Sequence, residues 1–179
     1  MNALCDASSS MLILVDLQAR LMPAIHDGKN VVDRAMLLAN AAKLLDVPII
    51  ATEQSPASLG HNVDQLQALC DKTVAKSHFN ACAEATFIDS LDPQRDELIV
   101  AGCEAHVCVM QSVLGLLERG YRVRLVIDAI GSRHPLDRTT AIDRASAAGA
   151  MPVTTEMVVF EWMRHSHHPA FKPILELVK

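Results

Sequence analysis

Three residues of this 179-residue chain have types that together could carry out covalent chemistry: Asp16, Lys76 and Cys108. A cysteine attacks through its thiolate, and a free thiol has a pKa of about 8.5. A helix N-terminus brings unpaired N–H groups and partial positive charge, and a nearby ammonium adds a full charge. Both are expected to lower the pKa of Cys108. A carboxylate such as Asp16 can take the thiol proton and later deliver it to a leaving amine. The matching reaction is acyl transfer from a small amide or imide through a thioester at Cys108. Acyl transfer also needs N–H donors aimed at the developing oxyanion. The backbone N–H groups of Glu104 and Cys108, in the segment GCEAHVC, are the candidates, with Gly102 allowing a sharp turn before them.

These residues can act together only if the fold gathers them. Short runs rich in Val, Ile and Leu alternate with amphipathic stretches, the pattern of β-α-β units around a parallel sheet. The strands are expected over residues 11–15, 48–52, 73–77, 97–101, 122–127 and 151–154. Helices are expected over 30–45, 62–71, 107–119, 135–148, 156–164 and about 169–178. The expected fold is α/β: a single-domain, Rossmann-like three-layer αβα arrangement with a six-stranded parallel sheet covered by helices on both faces. Ligands of such sheets bind beyond the carboxyl ends of the strands, where strand order reverses. With the order 3-2-1-4-5-6, Asp16 follows the first strand, Lys76 falls at the end of the third, and Cys108 opens the helix after the fourth. Gln18, Leu21, Gln54 and Phe79 follow strands near the same crevice and are candidate pocket residues.

Composition narrows the partners. Half the residues are apolar and 21% are charged, enough for a packed interior. The net charge of −5, with Lys and Arg scattered singly, offers no basic stripe for nucleic acid. No apolar run approaches the roughly 20 residues that span a bilayer. The first ten residues, MNALCDASSS, do not resemble an export signal and read as a flexible arm, leaving 11–179 as the domain. Five cysteines, an odd number without C-x2-C spacing, point to reduced thiols and a cytoplasmic location, and to neither a metal nor a cofactor. Helix 30–45 carries apolar residues on more than one face, which predicts a second buried surface and a homo-oligomer.

The segments LILVDLQ (12–18), TEQSPASLG (52–60), KSHF (76–79), GCEAHVCV (102–109), LLERGYRVRLVIDAIGSR (116–133) and HPAFKPILELVK (168–179) resemble isochorismatase-like cysteine hydrolases over nearly the whole chain. They are closest to the branch holding isochorismatase domain-containing proteins and YcaC-like hydrolases. The resemblance implies a catalytic set at Asp16, Lys76 and Cys108, a cis peptide before the oxyanion loop, and oligomers. Nicotinamidases of the same superfamily hold a metal through an Asp-x-His segment after the second strand. Here that segment reads TEQSPASLGHN, with His61 the only histidine nearby, so the resemblance implies neither the metal nor the nicotinamide substrate.

Two other functions fit some of the same residues. One is vinyl-ether hydrolysis directed by Asp16, without a cysteine nucleophile. The other is a non-catalytic oligomeric scaffold or thiol sensor, in which Cys103 could pair with Cys108. His106 suggests a Cys-His pair, although a loop histidine with its ring turned elsewhere is the plainer reading. The histidines at 165, 167 and 168 lie where a helix ends, which suits a cap or solvated turn. Trp162 is expected in the core or against another subunit.

Overall fold

A computed structural model describes residues 4–179. Six strands form one all-parallel sheet: β1 (Ser10–Val15), β2 (Ile49–Gln54), β3 (Lys72–Lys76), β4 (Glu97–Cys103), β5 (Arg122–Gly131) and β6 (Met151–Val153). Their order is β3-β2-β1-β4-β5-β6, so the reversal falls between β1 and β4, as expected. The helices are α1 (Gly28–Leu44), α2 (Pro56–Leu59), α3 (Asp64–Gln67), α4 (Ala85–Ile88), α5 (Met110–Glu118), α6 (Pro135–Ala147), α7 (Thr155–Met163) and α8 (Phe171–Val178). Among the described residues, no helix is long and apolar enough to cross a membrane.

The two-residue period of a strand divides each apolar run between two cores. Leu12 and Leu14 join the cluster under α1, α7 and α8, whereas Met11, Ile13 and Val15 join the one under α5 and α6. With both faces covered, a strand can be apolar throughout, and β1 and β4 are buried along their full lengths. At the reversal, β1 and β4 approach closely. A Cβ on Gly102 would lie 2.0 Å from the Val15 carbonyl oxygen, and its φ is +124°, so only glycine fits.

The helix expected over residues 62–71 shrinks to the single turn α3. Its neighbour Asp71 pulls the chain back to the sheet: Asp71 N–H donates to the Ile49 carbonyl at 2.9 Å, and its carboxylate accepts from Ile49 N–H at 2.8 Å. The short turns α2 and α4 were not expected; four-residue segments carry too little periodicity to read. The surplus apolar face of α1 is used largely within the chain. Val32, Met36 and Leu37 pack on the core that includes α7 and α8, while Leu44 stays exposed.

Of the arm expected over residues 1–10, residues 1–3 lie outside the described residues. From Leu4 onward the chain runs along the domain: Cys5 is buried, its N–H donates to Glu161 at 2.7 Å, and Ser10 already belongs to β1. Trp162 lies in the core and donates from Nε1 to Ser10 Oγ at 3.0 Å.

Candidate active site

The carboxyl ends of β1, β2 and β3 link four polar side chains, Asp16, Thr52, Gln54 and Lys76, into one cluster. Lys76 Nζ lies 2.7 Å from Asp16 Oδ2, both side chains being almost wholly buried at 0% and 1% exposure. Thr52 Oγ1 donates to the other carboxylate oxygen at 2.7 Å. Lys76 Nζ also donates to Gln54 Oε1 at 2.7 Å and to the His78 carbonyl at 3.4 Å. The buried ammonium thus has an ion-pair partner in Asp16 and two hydrogen-bond acceptors, which offsets part of its desolvation. Thr52 and Gln54 are two apart on β2, so both face this cluster. Glu53 between them faces away and accepts from Asn62 N–H at 2.8 Å.

Cys108 enters from the next connection. Beyond β4 the Cys103–Glu104 peptide is cis, as the family resemblance implied, and residues Ala105–Val109 form a π-helical turn that runs directly into α5. Such wide turns recur at functional sites. Cys108 lies in this first helical turn, 6% exposed, with its thiol 3.9 Å from Gln54 Oε1. Asp16 and Lys76 both act on the sulfur.

The ionisation of Cys108 corrects the expectation. Burial, together with the Asp16 carboxylate, pushes its thiol up to about 12, against the lowering effect of Lys76. The helix terminus and the ammonium lose to desolvation because the thiol sits among Val109, Val113 and other apolar side chains. The resting form of Cys108 is therefore a thiol, not a thiolate. The rate of Cys108 alkylation by iodoacetamide, mapped by peptide mass, is expected to climb steadily from about pH 7 to about pH 10. An ordinary thiol would level off above about 8.5. A plateau at or below that value would mean that the cations dominate.

The other expected residues fall in different places. Gln18 is wholly buried: its Oε1 accepts from Gln54 N–H at 2.8 Å, and its Nε2 donates to the carbonyls of Gln54 at 3.1 Å and Gly60 at 2.6 Å. Its side chain clamps the loop and leaves little for a ligand. Leu21 packs on the core under α1. Phe79 is 51% exposed near the N-terminal part of α5, its carbonyl accepting from Ser112 Oγ at 3.4 Å. The Glu104 carboxylate is tied to Arg133, accepting from Nε at 2.9 Å and N–H at 3.3 Å.

His106 turns away from Cys108, with Nδ1 3.0 Å from Ser132 Oγ and Nε2 3.9 Å from Asp137. Cys103 and Cys108 are both free and belong to different apolar clusters on the two faces of the sheet. His168 Nδ1 accepts from Ala170 N–H at 3.1 Å, an end-of-helix turn rather than a ligand site. Among the described residues, no three His, Cys, Asp or Glu side chains group in a metal-binding arrangement. Thr52 is the contact that sequence reasoning missed. Its signal lay in the segment TEQ, where the alternation that points Gln54 at the cluster also points Thr52 there.

The Isochorismatase domain family model matches residues 10–157. The chain is 35% identical to isochorismatase domain-containing protein 2A of Mus musculus over 171 residues, covering 96% of this chain and 83% of that one. Among solved structures, MAR1 ribonuclease from Caenorhabditis elegans superposes with a TM-score of 0.93 at 34% identity, covering 98% of this chain and 92% of that one. YcaC from Pseudomonas aeruginosa, solved with hexane-2,5-diol and covalent acrylamide, gives 0.92 at 26% identity over 99% and 92%. YcaC from Escherichia coli, described as an octameric hydrolase of unknown specificity, gives 0.87 at 26% over 98% and 96%.

Proposed function

The chain belongs to the isochorismatase family, and from that premise we propose that it is a cysteine hydrolase of small amides, imides or related C–N bonds, working without metal or cofactor. One observation carries this reading: a helix-borne thiol beside a buried carboxylate-ammonium pair at the reversal of the sheet. In the proposed reaction the Cys108 thiol gives its proton to the Asp16 carboxylate as sulfur attacks the carbonyl carbon. The C–N bond then breaks, the nitrogen takes the proton from Asp16, and an amine leaves behind a thioester. Water attacks the thioester, giving one proton to Asp16. The C–S bond breaks, the acid departs and the thiol regains that proton. Lys76 holds the Asp16 carboxylate in place and offsets negative charge on sulfur during attack. The N–H groups of Glu104 and Cys108 serve as the oxyanion donors.

The high thiol pKa fits this sequence, because the proton then moves during attack and no resting thiolate is needed. The covalent acrylamide in the P. aeruginosa neighbour supports a reactive centre in this fold. A net charge of −5 favours a small substrate over a polyanion, so the RNA implied by the C. elegans neighbour's name is not carried over. The octameric E. coli neighbour supports a homo-oligomer here too. Light scattering is expected to give a mass of several chains, and a monomer at working concentration would count against it. The proposed chemistry is tested by screening small amides and imides for amine release, with Cys108→Ser as control. Release that continues undiminished in the control would contradict it.

A further inference from the structure

Gln54 belongs to no step of the proposed reaction, yet it touches two of the three groups that do. Its Oε1 accepts from Lys76 Nζ at 2.7 Å and faces the Cys108 thiol at 3.9 Å. The orientation of the carboxamide is fixed at its other end, where Nε2 donates to the Ser77 carbonyl at 2.8 Å. Turning the amide over would set NH2 against the ammonium and oxygen against oxygen. Register reinforces this, since Gln54 and Lys76 are Cα partners on β2 and β3.

The backbone of Gln54 is held as firmly. Strand β1 pairs with β2 as far as Val15 and Thr52, then turns away at Asp16, whose φ is +49°. Beyond that point the Gln18 carboxamide takes over from the missing strand, accepting from Gln54 N–H and donating to its carbonyl. A buried carboxamide with both ends bonded to backbone is a rigid support.

Resting on the proposed cysteine chemistry, we propose that Gln54 is a positioning residue that keeps the Cys108 thiol protonated and Lys76 engaged with Asp16, and that Gln18 fixes it there. The physics is a competition for protons. A hydrogen bond accepted from the thiol favours its neutral form. Lys76 has Asp16 as its ion-pair partner and two hydrogen-bond acceptors, one of them Gln54 Oε1. Removing that oxygen leaves one buried N–H without its partner, and the ammonium, which already acts on the sulfur, bears on it more fully and stabilises the thiolate.

The test compares Gln54→Met and Gln54→Glu, which keep the side-chain length. It reads the second-order rate of iodoacetamide alkylation at Cys108, at a fixed pH of about 8, where the rate follows the thiolate fraction. Gln54→Met is expected to react about tenfold faster than the parent, because Lys76 is released toward the sulfur. Gln54→Glu is expected to react at least about tenfold slower, because a second carboxylate beside the thiol disfavours the thiolate further. A purely structural role would loosen the site and speed both. Rates that move in the same direction, or stay at the parent value, overturn the proposal. Should Gln54→Met not fold, Gln54→Asn withdraws the same oxygen and is expected to react faster too; an unchanged or slower rate there overturns the proposal equally. This measurement needs no substrate. Loss of the nucleophile reading would appear instead as turnover that survives Cys108→Ser.

Discussion

Replacing Cys108 by alanine is expected to lower turnover of any amide substrate by about four or more orders of magnitude while leaving the fold intact. The size of the loss follows from the role: without sulfur no thioester forms, and Asp16 has no proton to relay. The survival of the fold follows from packing. Alanine removes one atom from a side chain whose contact with Gln54 is a weak one over 3.9 Å and which carries no charge as a thiol, so the cost should be about 1 kcal/mol or less. Rates and a thermal melt on the same preparation check both parts. Full activity in Cys108→Ala would refute the cysteine nucleophile. Inactivity of the parent protein across the screen would favour the scaffold reading.

The second large effect is expected at Lys76. Lys76→Met removes the ammonium and leaves the Asp16 carboxylate wholly buried with only uncharged neighbours, Thr52 Oγ1 and the Cys108 thiol. Breaking a buried pair in this way costs about 3–5 kcal/mol, much more than the net worth of the pair, because the orphaned charge must be desolvated or neutralised. Activity should fall by several orders of magnitude as well. The two losses separate in the double variant. Asp16→Asn with Lys76→Met removes both charges and is expected to recover most of the stability but none of the turnover. Denaturant unfolding of the two single variants and the double variant gives the coupling. Additive stability losses would show that the ion pair contributes little to the fold.

Much of this arrangement was legible in the residues. The six strands announced themselves as short apolar runs, and the order 3-2-1-4-5-6 then put the residues after β1 and β4 on one crevice. Asp16, Lys76 and Cys108 stood out because each interrupts or follows such a run. Thr52 did not, because a threonine inside a strand reads as an ordinary β-former, and its role depends on Asp16 turning back toward it. The sign of the Cys108 shift was also hidden. Sequence shows which charges are near in the chain, while the outcome depends on how much water the site excludes. Gln18 looked like a pocket residue because it follows β1; only the path of residues 54–60 shows that its amide is committed to backbone. The helix expected over 62–71 failed for a related reason, since the tie between Asp71 and Ile49 outweighs local propensity.

Covalent acyl transfer to Cys108 is the central claim, and p-nitrophenyl acetate tests it without knowledge of the natural substrate. Its activated ester donates an acetyl group and releases p-nitrophenol, so no amine has to be protonated. A burst of p-nitrophenol equal to the number of chains is expected, with the acetyl group mapped by peptide mass to Cys108 and lost again on standing in water. No burst, or an acetyl group on another residue while Cys108 stays free, would contradict the account.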